Sequence, residues 1–280
     1  MTKFTFLAAL AVALASCAHT SGHQFAPGSR YVNMGSSFAA GAGTGPAPEG
    51  SPARCYQSSV NYAHLLAERL DLALTDVSCG GATSAHILSA WNELPAQIDA
   101  VTGETKLVTI TIGGNDIAFA GNLTAASCVQ GESLHVASLV LPCPSRFPVA
   151  EEAYTTLGRN LRETARQIAT RAPQARVVFI QYVALVPETQ CAQSRFTEEE
   201  AAELRLVATR LAEITNRAAA ETGASVLRMD EFARGHTPCD ADPWSTGLPR
   251  DYNEALGAPW HPNRRGMAVI AERLQELLGR

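Results

Sequence analysis

Short runs rich in β-branched and aromatic residues alternate along this chain with longer amphipathic stretches, and that alternation leaves few folds open. Strands are predicted over 31–34, 72–77, 107–112, 177–182 and 225–229. Helices are predicted over 60–70, 85–100, 151–171, 198–221 and 264–278. The helix at 198–221 is the best marked: Thr197 with Glu200 three residues on forms a capping box, and Gly223 ends the run. Strand and helix taken in turn predict a parallel sheet covered on both faces, a three-layer α/β/α domain. With 280 residues, 46% apolar and 18% charged, the chain can bury a substantial core. Two stretches, 121–148 and 234–262, break the alternation. Loops of that length in a compact domain are usually functional or stapled.

The first residues read as an export signal rather than as part of the fold. Lys3 precedes an apolar run over 4–15 that is too short to span a bilayer, and small residues follow. "LASC" at 14–17 reads as a lipobox, in which Cys17 is acylated and becomes the first residue of the mature protein. Ordinary cleavage after the "ALA" of 13–15 is the competing reading, so the chain is expected to be either a membrane-anchored lipoprotein or a freely secreted or periplasmic protein. The organisation is then a signal peptide at 1–16, a tether at 17–29 and one domain at 30–280.

Removing Cys17 from the seven cysteines leaves Cys55, Cys79, Cys128, Cys143, Cys191 and Cys239. An even set in an exported chain favours three disulfides over metal ligation. Sequence alone does not choose among the connectivities, although pairing in order closes the shortest loops. Neither HExxH nor a CxxC pair occurs, so no metal and no cofactor are expected. A formal net charge of −5, with no basic run beyond pairs such as Arg264–Arg265, sets nucleic-acid partners aside. A monomer is expected.

In an open parallel sheet, ligands bind beyond the carboxyl ends of the strands. Three polar blocks fall there: "GSS" at 35–37, "SCGGATS" at 78–84 and "GGND" at 113–116. A fourth, "PWHPN" at 259–263, precedes the last helix. A serine at a strand-to-helix turn, a histidine that reaches it and nearby amide donors are the parts of acyl transfer. Neutral imidazole takes the serine proton as the hydroxyl attacks a carbonyl, and the anionic intermediate then needs hydrogen-bond donors. The backbone N–H of Gly81, the side chain of Asn115 and the nucleophile's own N–H are the candidate donors. Taken singly, each block also has an ordinary structural reading. Ser36 and Ser37 suit a helix N-cap, Asn115 and Asp116 suit a turn, and His261 before Pro262 suits a helix entry. His64, His86 and His135 are read as structural; His236 is read as making a structural hydrogen bond, with a place on the rim of the site as the alternative. Trp244 and Trp260 are read as core residues or as walls of an acyl pocket.

Taken in order, "GSSFAAG" (35–41), "CGGAT" (79–83), "GGND" (113–116) and "HPN" (261–263) resemble the four sequence blocks of the SGNH, or GDSL-like, hydrolase family. The resemblance is strongest to its secreted actinobacterial-type lipases and esterases. It implies a flavodoxin-like α/β/α fold, an ester or lipid substrate and a serine ester hydrolase, with disulfides paired in order as 55–79, 128–143 and 191–239. It also implies that Ser37 is the nucleophile and His261 its base, with Ser37, Gly81 and Asn115 forming the oxyanion hole. Two departures stand out. Ser36 occupies the position where the family has Asp, and Ala258 stands where the family has the acid three residues before the histidine. The main-chain carbonyl of Ala258 is therefore the candidate to orient His261, with Asp251 and Glu254 as the alternative acids. The rival reading is a catalytically weak or silent surface lipoprotein that binds lipid or glycan in the same cleft.

Overall fold

The computed structural model describes residues 25–128, 132–136 and 139–279. The predicted export segment, Cys17 and most of the predicted tether lie outside the described residues. Among the described residues, seven strands and eight α-helices follow in chain order. These are β1 (Ser29–Gly35), α1 (Ser37–Ala40), α2 (Tyr62–Leu70), β2 (Leu72–Asp76), α3 (Ser84–Leu88), β3 (Thr105–Thr111), α4 (Phe119–Ser127), β4 (Ser133–Val136) and β5 (Leu139–Pro142). The remainder are α5 (Glu151–Arg171), β6 (Arg176–Ile180), α6 (Glu198–Thr222), β7 (Ser225–Leu227), α7 (Met229–Phe232) and α8 (Arg264–Leu278). Five strands make one parallel sheet in the order β2-β1-β3-β6-β7, and β4 pairs with β5 as a separate antiparallel hairpin.

That order explains the layering. The chain winds from β1 outward to β2 through α2, then returns past β1 to β3 and proceeds the other way through α5 and α6. Right-handed crossovers in opposite directions put their helices on opposite faces. Accordingly α2 packs on α8, while α5 packs on α3 and α6. The central strands β1 and β3 are buried along most of their length and β6 at its end, so they carry Tyr31, Met34, Leu107, Ile110 and Phe179 into the core and read as near-continuous apolar runs. The winding reverses between β1 and β3, and the crevice at their carboxyl ends is where such a sheet places its ligand.

The helix predicted over 85–100 is not one helix. α3 ends at Leu88, Asn92 takes a left-handed φ of 55°, and a separate 3₁₀ turn forms at Gln97–Ala100. Pro95 has no N–H to continue a helical ladder. The long loop predicted over 121–148 is likewise partly regular, because it holds most of α4 and the β4-β5 hairpin. Phe119, Asn122, Leu123, Ala125, Ala126 and Ser127 of α4 are all buried. A helix buried on most of its surface shows no polar face for a periodicity to reveal.

Three disulfides close, in the order that the resemblance implies: Cys55–Cys79, Cys128–Cys143 and Cys191–Cys239.

Candidate active site

β1 ends on a glycine because nothing else fits. Gly35 has φ +142°, and a Cβ there would lie 2.2 Å from the carbonyl oxygen of Thr111 on the neighbouring strand. That close approach lets the Ser36 N–H reach the Thr111 carbonyl at 3.0 Å, and the chain turns at once into α1. The two serines then part company. Ser36 is buried, its hydroxyl 3.4 Å from that of Tyr182, whereas Ser37 is partly exposed at the first position of α1.

Ser37 Oγ lies 2.7 Å from His261 Nε2, across 224 residues of sequence. The other ring nitrogen, Nδ1, is 2.6 Å from the main-chain carbonyl of Pro259. A carbonyl oxygen accepts and never donates, so Nδ1 carries the proton. Nε2 is therefore the bare nitrogen facing the serine hydroxyl. The imidazole packs against Phe38, with ring centroids 4.5 Å apart, and burial pushes its pKa down to about 4 against a smaller upward pull from the Pro259 carbonyl. It is neutral near pH 7, as a general base must be.

Three loops converge on this pair. The Cys79 N–H donates to the Gly35 carbonyl at 3.0 Å, tying the loop after β2 to the end of β1. Asn115 Nδ2 donates to the Ala82 carbonyl at 2.9 Å, tying the loop after β3 to the loop after β2 and engaging one of its two amide protons. The N–H groups of Ser37 and Gly81 donate to no acceptor among the described residues. Gly81 has φ +82°, a backbone conformation that leaves its N–H free of a side chain. Trp91 walls the loop, its ring 3.2 Å from where a Gly81 Cβ would sit, and it is sandwiched between His86 and the guanidinium of Arg54. Behind it an apolar cavity of about 340 Å³ is lined by Val77, Cys79, Leu94 and Ala96.

Residues 34–269 match the model of the GDSL-like lipase/acylhydrolase family. The chain belongs to that family. Lipase 2 of Streptomyces coelicolor is 32% identical over 272 residues, covering 94% of this chain and 90% of the relative. A Streptomyces scabiei esterase is 28% identical and covers 98% of this chain and 95% of the relative. Among solved structures, the phospholipase A1 of Streptomyces albidoflavus NA297 and the extracellular lipase of Streptomyces rimosus each superpose with a TM-score of 0.69 at 24% identity. Each match covers 89% of this chain and 99% of the other, a likeness of fold.

The expectation that Ala258 orients the histidine is overturned. The Ala258 carbonyl accepts instead from the Thr246 hydroxyl. Trp260, fully buried and stacked 4.8 Å from Phe196, takes a left-handed φ of 57°, and that twist aims the carbonyl two residues before His261, not three, back at its ring. Neither Asp251 nor Glu254 contacts His261. Asp116 is a helix cap: its carboxylate accepts from the N–H of Ser84 at 2.9 Å and from the Ser84 hydroxyl at the start of α3, and burial raises its pKa. His64 lies against Asn61 and Asp76, His86 caps Thr83, and His236 binds the Asp242 carbonyl while stacking on Trp244. His135 has no described side-chain environment.

Two supporting groups left no mark in the sequence reading. Gln97 clamps the Gly35 peptide, its Oε1 accepting from the N–H at 2.7 Å and its Nε2 donating to the carbonyl at 3.0 Å. Asn33, fully buried in β1, accepts from Tyr62 and Thr109 and donates to Asp76 at 3.0 Å. The only available signal was an amide inside an otherwise apolar strand.

Proposed function

We propose that this carboxylic ester hydrolase works through an acyl-enzyme on Ser37. The observation that carries the reading is the 2.7 Å contact between Ser37 Oγ and a histidine nitrogen left unprotonated by the Pro259 carbonyl. As Ser37 attacks the ester carbonyl, His261 takes its proton. The resulting imidazolium returns that proton to the departing alcohol, and water then repeats the sequence on the acyl-enzyme. The Ser37 and Gly81 N–H groups and the second amide proton of Asn115 are the donors proposed for the oxyanion, each typically worth about 3 kcal/mol of barrier.

The disulfides support an exported protein. Within this reading Cys17 carries the acyl anchor that holds the domain at a membrane face. Mass spectrometry of the mature N-terminus decides between that and cleavage after Ala15.

The test of the nucleophile is turnover of a short-chain p-nitrophenyl ester by Ser37→Ala and Ser36→Ala. The first should be inactive and the second should keep a measurable fraction, because the buried Ser36 hydroxyl supports the turn and faces Tyr182. Survival of Ser37→Ala, or equal loss in both, defeats the assignment. A wild-type protein that binds esters without cleaving them would restore the silent lipoprotein.

A further inference from the structure

Ser37 and Asn115 stand on loops after different strands, and one buried side chain from the loop after β6 touches the neighbours of both. Tyr182 presents its phenolic oxygen to the N–H of Gly114, the residue before Asn115, and accepts from it at 2.9 Å. The Gly114 carbonyl accepts in turn from the Phe119 N–H at 2.7 Å, so both polar backbone groups of that residue are held. A Cβ at Gly114 would lie 2.7 Å from the same phenolic oxygen, and only glycine lets the tyrosine come so close. With its oxygen accepting from Gly114, the phenol keeps its own proton for Ser36 Oγ, a longer contact at 3.4 Å to the residue before Ser37. The ring packs on Phe38, the residue after Ser37, with centroids 4.3 Å apart, and Phe38 packs on His261 at 4.5 Å.

Tyr182 is not placed to transfer a proton in the reaction. Its hydrogen bonds run to Gly114 and Ser36 rather than to Ser37 or His261, and burial pushes its phenol up to about 12, so it stays neutral through the neutral range. What it fixes is the level of the loop after β3 against the end of β1. Without the hydroxyl, the buried Gly114 N–H has no acceptor, and the loop shifts to find one. We propose that Tyr182 is a positioning residue for ester cleavage, aiming the Asn115 amide at the oxyanion through the Gly114 peptide. This rests on the oxyanion role proposed for Asn115.

The test is a double-mutant cycle on p-nitrophenyl ester turnover, run below the melting temperature of every variant with folding checked by far-UV circular dichroism. Asn115→Ala should lower kcat by about 10²–10³. Tyr182→Phe keeps the ring and removes only the hydroxyl; kcat should fall by about 10- to 100-fold while KM stays within about twofold, because a misplaced donor is missed in the transition state. Gly114→Ala attacks the same contact from its other side and should reproduce that pattern, which keeps the proposal testable if Tyr182→Phe does not fold. The double variant Tyr182→Phe/Asn115→Ala should be no slower than Asn115→Ala alone by more than about threefold, since Tyr182 then has no amide to aim. A tyrosine that merely supports the core would multiply its loss onto that of Asn115→Ala, and that result overturns the proposal. So does an unchanged kcat in folded Tyr182→Phe, or a loss confined to KM. Full activity in Asn115→Ala would instead remove the oxyanion reading, and the proposal with it.

Discussion

At the scale of the residue, the unusual feature is that His261, the proposed general base, is steadied by a peptide carbonyl, which carries no full charge to stabilise imidazolium. Burial dominates the titration of His261 and holds it well below the ordinary imidazole value, at about 4. The base is therefore ready across the neutral range. The acid limb of kcat/KM, which reports the free enzyme, should fall below pH 6.5 and approach 4. A midpoint near 6.5 would contradict the buried, carbonyl-bound ring. The same shift sets a direction for stability. The unfolded chain takes up this proton near 6.5 and the native protein only near 4, so this residue makes the fold less stable as pH drops through that window and contributes nothing above it. Asp251→Asn and Glu254→Gln should each retain most activity, since removing a true triad acid costs on the order of 10⁴ in turnover. A loss beyond about a hundredfold in either folded variant would mean that a carboxylate swings in during turnover.

At the scale of the element, the end of β1 decides where Ser37, the proposed nucleophile, stands. Gly35 is held by Gln97 on one side, by the Cys79 N–H on another and by the packing of its own Cα against Thr111. Gln97→Leu keeps the bulk but leaves the buried Gly35 N–H with no acceptor, at a cost of about 1–3 kcal/mol. The melting temperature should drop by several degrees, and turnover should fall more than KM rises, because Ser37 is two residues away. An unchanged melting curve would show that the clamp is not what holds the turn. The turn also explains the two serines with which the strand ends: Ser36 points inward to Tyr182 and Ser37 outward to His261.

At the scale of the whole molecule, His261 lies on a segment with little regular structure between α7 and α8, and Cys191–Cys239 fastens that segment to the loop after β6. This bridge spans 48 residues, the largest separation of the three. Replacing both cysteines by serine should lower stability by about 2–4 kcal/mol in thermal or denaturant unfolding. Activity should be lost at temperatures where the sheet is still folded, because the tethered segment carries His261, the proposed base, and not Ser37. Simultaneous loss of activity and far-UV signal would show instead that the bridge supports the entire domain.

The strand and helix alternation, the capping box at Thr197 and the four ordered blocks were legible in the sequence because they are local. Each depends on spacing within a few residues and on apolar runs that a parallel sheet demands. The family resemblance carried the cysteine pairing, which the structure shows, and the proposed roles of Ser37 and His261, whose side chains the structure brings to 2.7 Å. Three things were not local and so could not be read. α4 hid because burial on most sides erases periodicity. The Gln97 clamp hid because a proline-broken turn brings it 62 residues back to Gly35. The acceptor for His261 was misplaced by one residue because the left-handed turn at Trp260 is imposed by a buried indole packed on Phe196, a contact between distant parts of the chain. Sequence determined which chemistry is present; tertiary packing decided which carbonyl faces the imidazole, since backbone direction at a strained residue follows the side chain that the core has claimed.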